Sequence, residues 1–458
     1  MPRDLTVLIM AAGHGTRMRS SLAKVLHPVC GRPMVEWVVE AARDAGADRI
    51  VCVTRPGEGV AERLDGTVEV AEQREGEGTG AAVLAAREAI AGSRTVVVLS
   101  GDHPLVSAEL IRDLVSAHER LDAAATVLTT TSIDPAGYGR IVRAPDGSIE
   151  RIVETKHTDG VPPDELEIEE VNLGTYAFAA PDLLEALDAV GEERGERYLT
   201  GVFPILRERG RGLAPHPTDD VRSAIGVNTR ADLLEVEALA RRALVERHAL
   251  AGVSFRSPDT VAIDASVLIG PGTTIGAGVT LIGATRIGGD CEIGPQATLT
   301  DATIGDRVRI LHAVLVECEV ADEATVGPFA YLRPGTRLAE RSKVGTFVEV
   351  KNSSIGEGAK VPHLSYVGDA DVGEGANLGA SSITANYDGK RKHRTTIGKG
   401  VRTGIHTSLV APVNVGDDAY TGAGSVIRKD VPEGALAVSR VEQRIYEGYN
   451  RPSKDPPE

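Results

Sequence analysis

The sequence predicts a two-part protein: a doubly wound, mostly parallel α/β domain followed by a parallel β-helix of hexapeptide repeats. Three observations carry that expectation. From about Val261 to Leu436 an aliphatic residue keeps returning at a six-residue phase, followed by Gly or another small or acidic residue. From residue 4 to residue 228 short apolar runs alternate with helical patterns. Between the two lies an uninterrupted helical stretch, Thr229 to Ala251. A chain of 458 residues is also too long for one core and implies two or three domains.

The repeat dictates the architecture of the second half. Ile269-Gly270, Ile275-Gly276, Ile287-Gly288, Ile293-Gly294 and Ile304-Gly305 open the series. Val326-Gly327, Val344-Gly345, Ile355-Gly356, Val367-Gly368, Val372-Gly373 and Leu378-Gly379 continue it, and Ile397-Gly398 and Val415-Gly416 close it. A period of six suits no amphipathic helix and marks a hexapeptide β-helix. Each hexad makes one short strand and three make a triangular coil, the aliphatic residue pointing inward onto its equivalent in the next coil. Gly and other small residues are expected at corners, where crowding or positive φ excludes larger side chains. A β-sandwich would instead show alternation at period two, with turns about every 8–12 residues.

Composition narrows the function classes. Aromatics are 3% of the chain, with one Trp, which suits an interior of Ile, Val and Leu. A formal net charge of −16 argues against nucleic acid or an anionic membrane as partner. No apolar run approaches the ~20 residues that span a bilayer. Leu5 to Ala12 is apolar but ends in Gly-rich sequence without a signal-peptide cleavage pattern. Cys30, Cys52, Cys291 and Cys318 fit neither zinc spacing nor a disulfide framework. The expectation is a soluble cytoplasmic protein with reduced thiols.

In the first half, strands are expected at Thr6–Met10, Ile50–Val53, Thr95–Leu99, Ala124–Thr129 and Ala177–Phe178, and helices at Met34–Ala45, Gly80–Ala91 and Ala108–Glu119. Such alternation makes a sheet covered by helices, whose ligands sit beyond the carboxyl ends of the strands. After the first strand comes Met10-Ala11-Ala12-Gly13-His14-Gly15-Thr16-Arg17-Met18, with Lys24 further on. Small residues let backbone N–H groups approach an anion, and Arg17 and Lys24 supply countercharge. The string is not a P-loop, which needs Lys-Ser/Thr after its second Gly. Nor is it the dinucleotide fingerprint, since Met18 stands at the third Gly position. Two glycines alone would mark only a strand–helix turn. After Thr95–Leu99, Ser100-Gly-Asp-His-Pro104 puts Asp102 at the end of a central strand, where a carboxylate can hold Mg²⁺ against phosphate oxygens. Standing alone it would read as a turn or N-cap Asp.

The whole loop resembles the signature of sugar-1-phosphate nucleotidylyltransferases, Leu-Ala-Ala-Gly-x-Gly-Thr-Arg-Met, with Met10 in place of Leu and Ala23 where Pro often precedes the Lys. The resemblance extends to Gln73 before Gly78-Thr79-Gly80, although Ala81 stands where His is frequent. It continues through Tyr138-Gly139-Arg140-Ile141, Glu154 in Val-Glu-Thr-Lys, Asn172 in Val-Asn-Leu-Gly and Asn228 in Val-Asn-Thr-Arg. It implies a Rossmann-like domain in which Ala11, Ala12, Gly13, Lys24, Gly78 and Thr79 hold a UDP-sugar and Gln73 reads the uracil. By the same resemblance Gly139, Glu154 and Asn172 hold the sugar and ribose, and Asn228 shares Mg²⁺ with Asp102. Tyr198-Leu-Thr-Gly201 departs from the family's Tyr-Leu-Thr-Asp and lacks its carboxylate.

Along the helical stretch Leu233, Val236, Leu239 and Leu244 mark one apolar stripe; acids and bases are mixed along it, unlike a membrane-seeking helix. Within the repeats the informative places are where the hexad breaks. The first break, around Ile310 to Val320, is followed by Tyr331-Leu-Arg-Pro-Gly335. The second, Ala380 to Thr396, carries Lys390-Arg391-Lys392-His393-Arg394 and is basic within an acidic protein. Insertions in a solenoid emerge as loops, often on the binding face. A charge run is ordinarily just solvated; here it would also clamp a phosphate. Between the breaks Arg333, Glu349, Lys351, His363, Tyr366 and Asn377 occupy non-core phases, and residues such as Arg333 and Lys351 should stack coil on coil.

That constellation resembles the acetyltransferase half of the bifunctional N-acetylglucosamine-1-phosphate uridyltransferase/glucosamine-1-phosphate acetyltransferases, over about residues 4 to 440. The resemblance implies a uridyltransferase domain at 1–228, a helical linker at 229–251 and a left-handed β-helix acetyltransferase domain at 252–458. Left-handedness comes from the resemblance alone, since parallel crossovers are mostly right-handed. It implies His363 as general base for glucosamine 1-phosphate, with Glu349 orienting its ring. Arg333, Lys351, Tyr366, Asn377 and Lys392 would bind the sugar phosphate. Ala380, Asn386, Tyr387, Ile405, Ala423 and Arg440 would line the acetyl-CoA site. The second reaction would join N-acetylglucosamine 1-phosphate to UMP from UTP, with Mg²⁺, Arg17 and Lys24 offsetting charge. It further implies a homotrimer in which three prisms share each site and Lys392 reaches across. In Thr403-Gly-Ile-His-Thr407, Ile405 replaces the family's Ser. A single-site enzyme making an ADP- or GDP-sugar, with a non-catalytic prism, would explain the first 228 residues equally well but leaves His363, Lys351 and Arg333 without a role.

Overall fold

The structure, a computed structural model, describes residues 4–155, 161–439 and 442–449. The chain divides into two compact units, Met1–Arg241 and Arg242–Glu458.

Among the described residues nine strands form the sheet of the first unit: β1 (Leu5–Met10), β2 (Arg49–Thr54), β3 (Glu69–Glu72), β4 (Thr95–Ser100), β5 (Ala125–Thr130), β6 (Gly139–Arg143), β7 (Ile149–Val153), β8 (Val171–Ala179) and β9 (Leu213–Pro217). The main path runs β9-β5-β8-β4-β1-β2-β3. Alternate residues feed two cores. Leu8, Val96 and Val98 join Phe178 and Phe203 in one, while Val7, Ile9, Val97 and Leu99 join Val38, Ile111 and Leu114 in the other. Burial on both faces is why these strands read as unbroken apolar runs. β1 pairs in parallel with β2 and β4, β2 with β3, and β9 with β5. β8 runs antiparallel to both β4 and β5, a reversal that the alternating pattern does not predict. It shifts register between Asn172 and Tyr176. Gly174, at φ 69°, supplies the left-handed turn, and its N–H donates to Asn172 Oδ1 at 2.9 Å.

The helices Met34–Asp44 and Ala108–Leu121 stand close to their expected bounds. Ser107 caps the second by accepting from Leu110 N at 3.1 Å. The expected helix Gly80–Ala91 is two pieces, Thr79–Ala85 and Arg87–Ile90. The helix Arg230–Leu250 contains the division between the units. Its buried stripe is Leu233, Val236, Ala240 and Leu244, with Leu239 only half-buried. Among the described residues no helix is long and apolar enough to cross a membrane.

The second unit is a parallel β-helix. Among the described residues its strands form three parallel sheets of seven, ten and nine members, one from each side of the coil, with Tyr420–Thr421 and Leu436–Ala437 as a further pair. In one column Leu281, Leu299, Leu315, Leu332, Val350 and Val367 stack inward in register. All of them are buried. A Cβ on Gly270 would lie 2.6 Å from the Gly288 carbonyl carbon of the next coil, so crowding alone demands glycine after Ile269. Positive φ falls on glycines such as Gly272, Gly327 and Gly400, as expected of small residues, but also on large ones: Phe329, Phe347, Leu364 and His406 all sit between 49° and 57°. The left-handed backbone costs about 1–2 kcal/mol per residue; ring stacking offsets it where Phe329 and Phe347 lie 5.4 Å apart at 11°. The two breaks differ in kind. At the first, Leu299 pairs with Leu315, so the coil loses residues. At the second, Ile383 pairs with Ser408, so the coil gains a loop between Ala385 and Thr395.

Candidate active sites

In the first unit the ends of β1 and β4 meet the loops that follow β3. Met10 to His14, Lys24, Arg55, Gln73, Glu77 to Thr79, Ser100 and Asp102 line one cleft of about 200 Å³. The signature loop is held open for backbone approach: Ala11 N donates to Val53 O at 2.8 Å. Gly15 turns at φ 58°, where a Cβ would meet Lys24 Cβ at 2.7 Å. Lys24 Nζ ion-pairs with Asp102 Oδ2 and lies 3.3 Å from Asn228 Oδ1. Arg17 donates to that same Asn228 oxygen at 2.8 Å. Residues from sequence positions 17 to 228 therefore converge on one point.

The electrostatics favour an ionised Asp102. Burial opposes its charge, but His103, Lys24 and hydrogen bonds from Lys24 and Ser100 outweigh burial and hold the carboxyl below its usual range. Burial pushes His103 down, so the imidazole beside Asp102 is neutral near pH 7. An ionised carboxylate and an amide oxygen around Lys24 make a hard, oxygen-only donor set that suits Mg²⁺. That ion takes few protein ligands and completes its shell with water and phosphate.

Three further residues were missed by the motif reading. Asp232 accepts from Asn228 N at 2.8 Å and Thr229 N at 2.9 Å, while its own N–H donates to Thr229 Oγ1 at 3.3 Å. This capping box at the start of the Arg230–Leu250 helix fixes Asn228, and Thr-x-x-Asp was its signal. Arg55, directly after β2, donates to Ala12 O and to Glu77 Oε2, both at 2.6 Å. Glu77 in turn lies 3.4 Å from His14 Nε2. Arg55 and Glu77 thus tie the signature loop to the Gly78 turn. No local motif signals that pair.

The remaining residues of this half fall into smaller groups. Gly139 lies opposite Asn172 across β6 and β8, and Asn172 Nδ2 donates to Tyr176 Oη at 2.7 Å. Glu154 accepts from Thr200 Oγ1 at 2.8 Å and lines a separate cavity of about 320 Å³ with Tyr198, Thr200 and Gly201. A Cβ on Gly201 would meet Val190 Cγ1 at 2.8 Å, so Val190 fills the space that an Asp would need.

In the second unit Tyr331, Glu349, Tyr366 and Ile383 stack in one column of the second sheet. Arg333 Nη1 donates to Glu349 Oε1 at 2.7 Å. Glu349 therefore holds Arg333 rather than the His363 ring it was expected to orient. Lys351 follows Glu349 on the same face of its strand. The inserted loop returns to this face: Asn386 Nδ2 lies 3.5 Å from Tyr366 Oη and donates to Asp369 Oδ2. Asp369, absent from the sequence reading, also accepts from Asn352 Nδ2 at 2.6 Å. Burial opposes its charge, yet hydrogen bonds from Asn352 and Asn386 and the charges of Lys351 and Lys392 keep its carboxyl below the usual range. Lys392 stands against Lys351 of the same chain, whose contact and charge push its ammonium pKa down. Two ammonium groups side by side prepare a place for a dianion.

His363 is exposed at the end of the first-sheet strand Lys360–His363, opposite Thr346. Asn377 lies on the same sheet, bridged to Lys360 and Arg402. Ala380, Ile405 and Ala423 follow the first-sheet column at the adjoining corner, where His406 N donates to Ala380 O and Gly424 N to Ile405 O, each at 2.8 Å. Tyr387 is exposed, its hydroxyl donating to Gly389 O at 2.7 Å. Arg440 lies outside the described residues.

Fold and sites define a class: a nucleotidyltransferase joined to a hexapeptide-repeat acyltransferase. The MobA-like NTP transferase domain model matches residues 7–207. The bifunctional protein GlmU of Mycobacterium bovis (strain BCG / Pasteur 1173P2) is 47% identical over 98% of this chain and 92% of its own length. Those of Mycolicibacterium vanbaalenii and Mycobacterium leprae are each 46% identical, over 98% and 97% of this chain and 93% and 92% of theirs. The chain belongs to the family of the bifunctional protein GlmU. It is an enzyme with uridyltransferase and acetyltransferase activities, using a nucleoside triphosphate and acetyl-CoA.

Proposed function

We propose that the chain makes UDP-N-acetylglucosamine from glucosamine 1-phosphate at two separate sites with assigned residues. The observation carrying this reading is the convergence of Lys351, Lys392, Tyr366 and Asn386 around Asp369, which a prism of purely architectural role would not need. At the second-unit site His363 takes a proton from the sugar ammonium, freeing the amine to attack the thioester carbonyl of acetyl-CoA. Arg333, steadied by Glu349, binds the sugar phosphate with Lys351 and Lys392, while Tyr366 and Asn377 contact the sugar. Asn386 stands beside the reacting carbonyl, and Ala380, Tyr387, Ile405 and Ala423 line the CoA channel; Arg440 is assigned to the same ligand.

At the first-unit site the phosphate of N-acetylglucosamine 1-phosphate attacks the α-phosphorus of UTP and pyrophosphate leaves. Lys24 and Arg17 offset the charge that develops, the small residues of the signature loop admit the triphosphate, and Gln73 reads the uracil. Gly139, Glu154 and Asn172 take the sugar and ribose. Asp102 and Asn228 would hold Mg²⁺, which when bound neutralises phosphate oxygens.

The active assembly is a homotrimer. Phe329, Phe347 and Leu364 stack along one corner, each more than half exposed, an apolar edge that suits burial against further copies. The work is cytoplasmic: Cys52, Cys291 and Cys318 are buried outside any disulfide, and burial pushes the Cys52 and Cys318 thiols up to about 12. A thiol-release assay with glucosamine 1-phosphate and acetyl-CoA, followed by UTP and Mg²⁺, tests both steps. Free CoA and then UDP-N-acetylglucosamine are expected; UDP-sugar formation without CoA release would reject the second site.

A further inference from the structure

Holding two ammonium groups together needs a restraint, and the inserted loop carries one at its downstream root. Lys392 stands against Lys351, whose contact and charge lower its ammonium pKa, so a loop free to move would carry Lys392 away. Upstream the loop is tied to the prism where Asn386 Nδ2 donates to Asp369 Oδ2. Downstream the tie is Arg394, whose Nε and Nη2 both bond the Asp371 carboxylate. Its Nη1 donates to Asn352 O at 3.2 Å, and Nη2 also donates to Ala370 O at 3.4 Å. Asp371 is steadied in turn by Ser354, whose Oγ donates to Oδ1 at 2.6 Å. A guanidinium in a bidentate pair fixes orientation as well as distance. Ser354 and Asp371 belong to the third sheet, whereas Glu349 and Tyr366 of the acetyl-transfer face belong to the second.

Chain connectivity turns this tie into a spacing rule. Arg394 follows Lys392 by two residues, and Asn352 follows Lys351 by one. The Arg394–Asn352 bond therefore joins the two backbone segments that bear the paired ammonium groups. Between its roots the loop is a short hairpin. His393 N donates to Asn386 O at 2.8 Å, Tyr387 forms a β-bridge with Lys392, and Asp388 accepts from Lys390 N and Arg391 N at 2.7 Å each. Displacing Arg394 would thus displace Lys392 with it. We infer that Asp371 and Arg394 are positioning residues for acetyl transfer, a clamp that holds Lys392 beside Lys351 to receive the phosphate of glucosamine 1-phosphate. Neither touches the substrate. The clamp offsets the like-charge repulsion in the free chain, and the dianion relieves it once bound between the ammonium groups. This rests on the acetyltransferase reading of the second unit.

The test uses the full chain. Arg394→Ala and Asp371→Asn should each raise KM for glucosamine 1-phosphate about three- to twentyfold, with smaller changes in kcat and in KM for acetyl-CoA. The double variant should be little worse than either single one, because each already removes the same clamp. Arg394→Lys, which keeps the charge without the fork, should restore part of the affinity. Uridyl transfer should not move. Amine labelling of Lys392 across a pH series, read by mass spectrometry, should shift to higher pH in Arg394→Ala as the ammonium leaves Lys351. A KM rise in Arg394→Ala with none in Asp371→Asn would make Arg394 a direct phosphate ligand and overturn the clamp. A labelling profile that stays in place would overturn it as well. Unchanged KM in both variants with intact thiol release overturns the clamp alone; absence of thiol release from the unaltered chain overturns the acetyltransferase reading and the clamp together.

Discussion

The two units place their functional groups in opposite ways. In the α/β unit the site is assembled from strand ends remote in sequence, and its members already hold one another: Lys24 with Asp102, Arg17 with Asn228, Arg55 with Glu77. In the prism the candidate residues Tyr331, Glu349 and Tyr366 stack coil on coil, and His363 stands exposed on the adjoining sheet. The first arrangement is preorganised by contacts among its own members; the second leaves its face open. Charge differs too: Lys24 of the first site is paired with Asp102, whereas Lys351 and Lys392 stand against each other.

The sharpest break in this comparison should come at His363. His363→Ala is expected to slow acetyl transfer by ~10²–10⁴ while uridyl transfer is retained. If only affinity for the sugar falls, measured by KM against kcat, the proton acceptor lies elsewhere. Asp102→Asn should do the reverse, lowering UDP-sugar formation ~10²–10³-fold with CoA release intact. Full uridyl transfer across an Mg²⁺ titration would remove Asp102 from the metal site.

A milder effect is expected where the units divide. A chain ended at residue 241 keeps the capping box that holds Asn228; one ended at 228 loses Asp232 and Thr229. The cap contributes ~0.5–2 kcal/mol, so the shorter chain should need more Mg²⁺ for uridyl transfer. Identical Mg²⁺ curves for the two lengths would detach the cap from the site. The smallest effect is expected at Ile405, which is half exposed beside the proposed CoA channel. Ile405→Ser adds one neutral hydrogen bond, worth ~0.5–1.5 kcal/mol, and should tighten acetyl-CoA binding about two- to tenfold. Weaker binding in a direct titration would show that Ile405 packs against the cofactor.

What could be read in advance differs between the units for a physical reason. The β-helix is legible because each coil repeats one local requirement, an inward aliphatic and a glycine that the next coil would otherwise strike, as at Gly270. The reversed direction of β8 was not legible, since pairing partners far away in sequence set it. The signature loop, Lys24 and Asp102 were readable as motifs after strands. Arg55 and Glu77 were not, because an ion pair between residues 55 and 77 leaves no spacing rule. Asp369 escaped for another reason: it looked like one more corner residue, and only the inserted loop gives it Asn386 to hold.

That insertion has a consequence of its own. The residues between Ala385 and Thr395 leave the prism and return without disturbing the columns on either side, since Ala385 still pairs with Val410 and Thr395 with Val413. In a stack where each coil touches only its neighbours, cooperativity is nearest-neighbour and unfolding starts from the ends. The loop rides on interior coils, beneath those carrying Leu409, Val415 and Ile427. Amide exchange should therefore be fast in the loop yet slower in the rungs that anchor it, which later coils still cover.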